Sequence, residues 1–196
     1  PTDVQPKPPA SATTAPVASG ASISPPPAAP TKPMPEPTSK VANFAGLTGP
    51  KPATWIWNPP QGGGISIAEY TVPGIDGADQ AKVTVFTLPG GGTLEANVAR
   101  WKMQFRDENG TVGAVEPIVE SFEVSDMPTS VVEFRGDYRG MGMANYAPKQ
   151  LFLIAILERP ADKVFIRLVG PPATVEPNRD AFMQLVKGLT PEEPEK

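Results

Sequence analysis

Twelve of the first 40 residues are proline, and none of the 40 is aromatic; the aromatic residues begin at Phe44. Proline fixes φ and has no N–H to give to a helix or a sheet ladder, and the Ala, Ser and Thr between the prolines offer little surface to bury. Such a segment cannot build a core. It is expected to be a disordered, extended arm with polyproline II character, reaching on the order of 120 Å at about 3.1 Å per residue when fully drawn out. The arm is taken to run over residues 1–53, followed by one folded domain over 54–190 and an acidic tail over 191–196. Two P-x-x-P spacings, Pro6–Pro9 and Pro30–Pro33, fit aromatic-lined grooves, but an arm this dense in proline contains them by chance.

A length of 196 residues suits one ordinary domain with appendages. The chain has no His and no Cys, so it lacks the imidazole and thiolate on which most metal sites, proton shuttles and nucleophilic dyads depend. No cofactor and no metal is expected. A net charge of −4 argues against nucleic acid, whose phosphates call for a basic face. The longest strongly apolar run, Leu151 to Leu157, is far short of the roughly 18 residues of a membrane span. A start at Pro1, with no Met and no basic, apolar leader, reads as a processed or trimmed product. A residue lost ahead of it could have carried a lipid anchor, so membrane contact is expected only through such an anchor.

Past the arm the pattern turns periodic. Ile65 to Val72 and Lys82 to Leu88 are β-branched runs of period two separated by the turn residues Pro73 to Gly77, and they read as a hairpin. Pro89-Gly90-Gly91-Gly92 then breaks the strand. Thr93 stands as N-cap before Leu94, Val98, Trp101 and Phe105, an apolar stripe at helical spacing that predicts a helix ending near Arg106. Further strands are predicted over Ile118 to Val124, Ser130 to Tyr138, Leu151 to Glu158 and Val164 to Val169. A second helix is expected from Thr174, burying Phe182, Leu185, Val186 and Leu189, with Gly188 as its stop. These elements predict an α+β sandwich, a mostly antiparallel six-stranded sheet covered by two helices, with Leu151 to Leu157 as a central strand covered on both faces.

The order Ala68-Glu69-Tyr70-Thr71-Val72-Pro73, a Gly-rich loop, Ala96-Asn97-Val98-Ala99-Arg100-Trp101-Lys102-Met103-Gln104-Phe105, and a closing helix around Phe182 resembles a group of uncharacterised exported bacterial proteins of the Mog1/PsbP-like fold. The resemblance covers Trp55 to Leu189. It implies an antiparallel sheet between helices, an extracytoplasmic setting, often with a lipid anchor, and a binding or assembly role; it brings no catalytic motif.

Six residues are candidates for partner binding. Asn97, Arg100, Trp101 and Gln104 recur at helical spacing, so an Arg and two amides beside a Trp could recognise a polar ligand or a partner backbone; equally they could tie loops to the sheet, for example Arg100 to Glu69. Trp55 and Trp57, where arm meets domain, either clamp the chain to the sheet or form an exposed aromatic patch. Gly90 to Gly92 before a helix could cradle an anion, but the phosphate-binding glycine patterns are missing and a tight loop explains them. Arg135-Gly136-Asp137 falls inside a strand, Asn109-Gly110-Thr111 reads as a turn, and Met141-Gly142-Met143 as flexible loop packing. Glu69, Glu116, Glu120, Glu123 and Glu133 could supply a carboxylate pair, though no spacing holds two together.

The expected function is therefore a non-enzymatic exported interaction module, displayed on a proline-rich spacer in a periplasmic or cell-surface assembly whose other proteins also contact the arm. The alternatives are a small-ligand carrier, with a pocket between the first helix and the sheet, and a carboxylate-based hydrolase.

Overall fold

The computed structural model describes residues 39–60 and 64–192. The proline-rich segment over 1–38 and the last four residues of the expected tail lie outside the described residues.

The folded chain starts earlier than residue 54. Strands β1 (Val41–Phe44) and β2 (Leu47–Pro50) pair antiparallel around Ala45 and Gly46, both at positive φ, the geometry that a two-residue hairpin turn requires. Ala42, Phe44 and Leu47 alternate inward and are buried, so the assignment of 41–53 to the arm is corrected: period-two burial outweighs the neighbouring prolines here.

After β3 (Ile56–Asn58), the predicted hairpin forms from β4 (Ser66–Val72) and β5 (Ala81–Pro89). Helix α1 (Leu94–Lys102) begins at Thr93, whose hydroxyl accepts from the Ala96 N–H at 3.2 Å. It stops short of Arg106, because Phe105 and Arg106 form β6 (Phe105–Arg106) against the strand that follows later in the chain. Then come β7 (Ile118–Val124), β8 (Met127–Tyr138), β9 (Ala147–Glu158) and β10 (Asp162–Gly170). The expected second helix is broken in three: α2 (Pro172–Val175), a 3-10 turn over Glu176–Asn178 and α3 (Arg179–Lys187). Pro177 lies in the middle piece and lacks the N–H a continuous helix would use. Gly188 closes α3, and a Cβ there would come within 2.7 Å of Pro50 Cδ and 2.9 Å of Gln184 O, so only glycine lets β2 approach this helix end. β11 (Thr190–Pro191) completes a three-stranded sheet with β1 and β2.

The main sheet has eight strands rather than six, in the order β3-β4-β5-β10-β9-β8-β6, with β7 beside β8, and every pairing is antiparallel. The two extra strands, β3 and β6, have three and two residues, too short to show a period. β9 lies inside the sheet, and Leu151 to Leu157 are buried at every position. Leu151, Leu153, Ala155 and Leu157 face one core, shared with Trp55, the β1–β2 hairpin and Phe182, Leu185 and Val186 of α3. Phe152, Ile154 and Ile156 face the other, shared with Trp101, Phe105, Phe134 and Phe165 beneath α1. Among the described residues no helix is long and apolar enough to cross a membrane.

Candidate functional site

Burial separates the six candidate residues. Trp55 is 0% exposed, and its indole N–H donates to Asn178 Oδ1 at 2.8 Å, clamping the entry of the domain to the turn before α3. Trp57 is half-buried against the same core. Asn97 is 1% exposed, and its amide donates to Gly91 O at 2.8 Å and Thr93 O at 2.9 Å, which fastens the glycine loop to α1. Its Oδ1 accepts from Arg100, which is exposed. Trp101 is buried in the aromatic core, 6.1 Å from the Phe152 ring and edge-on to Phe165 at 6.3 Å. Gln104 lies past the helix end, half-buried, with its carbonyl accepting from the Arg139 N–H at 2.8 Å.

These six do not converge on one surface. Trp55, Asn97 and Trp101 are corrected from contact candidates to packing residues, since a side chain sealed from solvent cannot meet a partner; Trp57, Arg100 and Gln104 keep some exposure. The expected Arg100–Glu69 contact is also replaced. Glu69 Oε1 accepts from the Ser66 hydroxyl at 2.8 Å and Oε2 pairs with Lys82 at 2.7 Å.

The space expected to hold a carrier's ligand, between α1 and the sheet, is filled. Phe105 stacks on Phe134 at 4.9 Å, Phe86 on Phe165 at 4.9 Å, and Phe152 meets Phe105 edge-on at 5.5 Å. Nor do the five glutamates face one another. Glu69 pairs with Lys82, Glu116 with Lys102, Glu120 with Lys187 at 3.5 Å and Glu133 with Arg135 at 2.6 Å, while Glu123 is exposed.

A cleft of about 980 Å³ opens beside Arg135, Asp137, Lys149, Asp107 and Pro172. Its charges serve the fold. Asp137 accepts from the Lys149 N–H at 3.0 Å and pairs with Arg106 at 2.9 Å; that backbone donor, followed by the guanidinium, holds the carboxyl below its usual range. Arg135 bonds to Glu133 and Glu176, and Asp107 accepts from the N–H groups of Asn109 and Thr111 at 3.0 and 2.7 Å, making the Asn109–Gly110 turn. The Arg135-Gly136-Asp137 triplet lies within β8.

A more exposed feature lies at β7. This strand pairs with β8 on one side, and no described strand pairs its other side. Ile118 is 62% and Val119 45% exposed at its start. Between Val119 and α1 runs a groove of about 380 Å³ lined by Leu94, Val98, Ala99, Pro117 and Val119, with the charged Glu95, Lys102 and Glu116 also bordering it. The sequence carried an unused signal for it, because two adjacent apolar residues in a half-exposed strand leave one side chain facing water.

No family model and no curated protein matches the chain. Among solved structures, the Ran-binding protein Mog1p of Saccharomyces cerevisiae matches with a TM-score of 0.53 at 13% identity, over 79% of this chain and 95% of that one. LpqN of Mycobacterium tuberculosis, involved in cell envelope biogenesis, matches with a TM-score of 0.50 at 10% identity, over 74% of this chain and 82% of that one. The fold is Mog1/PsbP-like. CyanoP, the PsbP of Synechocystis, has a TM-score of 0.47 at 12% identity, over 84% of this chain and 98% of that one. Identities this low carry the Mog1/PsbP-like architecture alone, and a fold does not bring its function with it.

Proposed function

We propose that this chain is a non-enzymatic protein-binding module that works outside the cytoplasm, in a periplasmic or cell-surface assembly, and that it takes an extended segment of a partner along β7. The observation that carries the reading is the juxtaposition of an unpaired strand edge with the apolar groove at Val119. A strand edge offers backbone N–H and C=O groups to an incoming strand, and an adjoining groove takes its alternate side chains. The extracytoplasmic setting rests on the resemblance to exported proteins and agrees with the envelope role of LpqN. The binding role agrees with that of Mog1p.

The test places a photoactivatable amino acid at Val119 and, as a control of similar exposure, at Ile75, 50% exposed on the β4–β5 connection. Crosslinking in intact cells should give discrete protein adducts from Val119 and few from Ile75. Equal adducts from both positions, or none from Val119, would refute the proposal.

A further inference from the structure

Asn109 lies at the tip of a tight turn. The base of the turn is closed by the bridge between Arg106 and Val112 and by the Asp107 N–H, which donates to Thr111 O at 3.1 Å. Residues 108–112 are all exposed. Of the six asparagines in the chain, only this one is followed by glycine. Glycine has no Cβ to screen its backbone nitrogen or to limit its φ. Gly110 adopts a φ of +81°, and a Cβ built there would meet nothing within 4 Å. Water and hydroxide therefore have open access to the Asn109–Gly110 peptide.

That peptide carries both halves of a reaction. A deprotonated Gly110 nitrogen is a nucleophile, and the Cγ of the Asn109 amide is an electrophile within reach of ring closure. In the structure both are tied to Asp107. Gly110 N–H donates to the Asp107 carbonyl at 2.9 Å, Asn109 N–H to Oδ1 at 3.0 Å and Asn109 Nδ2 to Oδ2 at 3.3 Å, while Thr111 N–H adds a bond to Oδ1 at 2.7 Å. The Thr111 N–H, joined by Asn109 and only partly opposed by burial, holds the Asp107 carboxyl below its usual range, so it accepts these bonds as a carboxylate at neutral pH.

We propose that Asn109 is a site of spontaneous deamidation and that Asp107 restrains the reaction in the folded chain. Loss of the Gly110 N–H proton to hydroxide lets its nitrogen bond to Asn109 Cγ. The Cγ–Nδ2 bond then breaks and the nitrogen leaves as ammonia with a proton from water, giving a cyclic imide. Water opens the imide at Cγ to give aspartate, or at the Asn109 main-chain carbonyl to give isoaspartate, which routes the backbone through the side chain. Either product loses the Nδ2 donor and adds a negative charge next to Asp107 and Glu108, on the border of the cleft they line. Ring closure requires the Gly110 N–H to leave the Asp107 carbonyl, so the turn must open, and the bonds to a charged acceptor oppose that opening. The inference involves neither the β7 edge nor the setting proposed for the chain and stands or falls independently of both.

The experiment incubates the full chain at neutral pH, folded and in urea, and follows the tryptic peptide from Asp107 to Arg135 by mass spectrometry, with aspartate and isoaspartate separated by chromatography. In urea the acid should appear at Asn109 before any other asparagine, and Gly110→Ala should slow it. In the folded chain it should appear at Asn109 more slowly. Asp107→Ala, checked for folding by its melting curve, should raise the folded rate about tenfold, the equivalent of one hydrogen bond to a charged group. Asp107→Asn keeps an oxygen for the backbone donors and should fall between the two, and it decides the matter if the alanine variant does not fold. No acid at Asn109 in the folded chain, or equally fast conversion at other asparagines, would overturn the site. A folded rate unchanged by either Asp107 substitution would overturn the restraint.

Discussion

Glu133 of β8 and Arg179, the first residue of α3, join the sheet to the helix that covers it. The Glu133 side chain is 5% exposed, and its other oxygen is held by Arg135 at 2.6 Å. Burial pushes this carboxyl up, but Arg179 and then Arg135 outweigh it and leave it below the ordinary value. A depressed carboxyl contributes stability that is present above the unfolded pKa of about 4.3 and is lost as pH falls through the lower folded value. Glu133→Gln should therefore cost about 2 kcal/mol at pH 7, and urea denaturation from pH 7 to 3 should show a flatter acid decline than in the parent protein.

Trp55 anchors the start of the domain through packing and one hydrogen bond to Asn178. Trp55→Phe keeps most of the apolar area and leaves the Asn178 oxygen unpaired, so it should cost about 1–3 kcal/mol. Trp55→Ala should cost about 3–5 kcal/mol by opening a cavity. Chemical denaturation would measure both, and an Ala variant no less stable than the Phe variant would contradict the clamp.

Asn97 and Arg100 are bonded neighbours on α1 with unequal burdens. Asn97→Ala removes both ties to the glycine loop and should lower stability by about 1–3 kcal/mol. Arg100→Ala removes an exposed side chain and should stay within about 0.5 kcal/mol. Thermal melts of the two variants would test the ordering.

Tyr70, 2% exposed on β4, has its hydroxyl pushed up to about 12 by burial. The unfolded chain ionises near 10. Stability is thus intact below about 10 and declines as pH rises toward 12, because the unfolded chain gives up the phenolic proton first. Burial raises the Tyr138 hydroxyl as well, so ultraviolet titration should show tyrosine ionisation running above the ordinary range, and Tyr70→Phe should remove its latest part.

The long strands were legible because Lys82 to Leu88 and Leu151 to Leu157 carry their burial in uninterrupted apolar or alternating runs. The first helix was legible in Leu94, Val98 and Trp101, but Phe105 extended the helical stripe while belonging to β6: its partner, Tyr138, is distant in sequence and leaves no local mark. The β1–β2 hairpin was hidden for a related reason. Its burial comes from α3 and β11, and Pro50 and Pro52 made the segment look like arm. Partner recognition was misjudged at Trp55 and Trp101 because sequence cannot tell an aromatic ring on an outer surface from one beneath a second layer.

Strand β9 acts as a partition. Leu153 and Phe152 are neighbours in the chain but contribute to separate interiors, so side chains on the two sides do not compete for the same space. Substitutions such as Leu185→Ala and Phe134→Leu should then have nearly additive penalties. Either half can be remodelled in volume while the other keeps its shape, a freedom that suits a scaffold whose outer surfaces diverge.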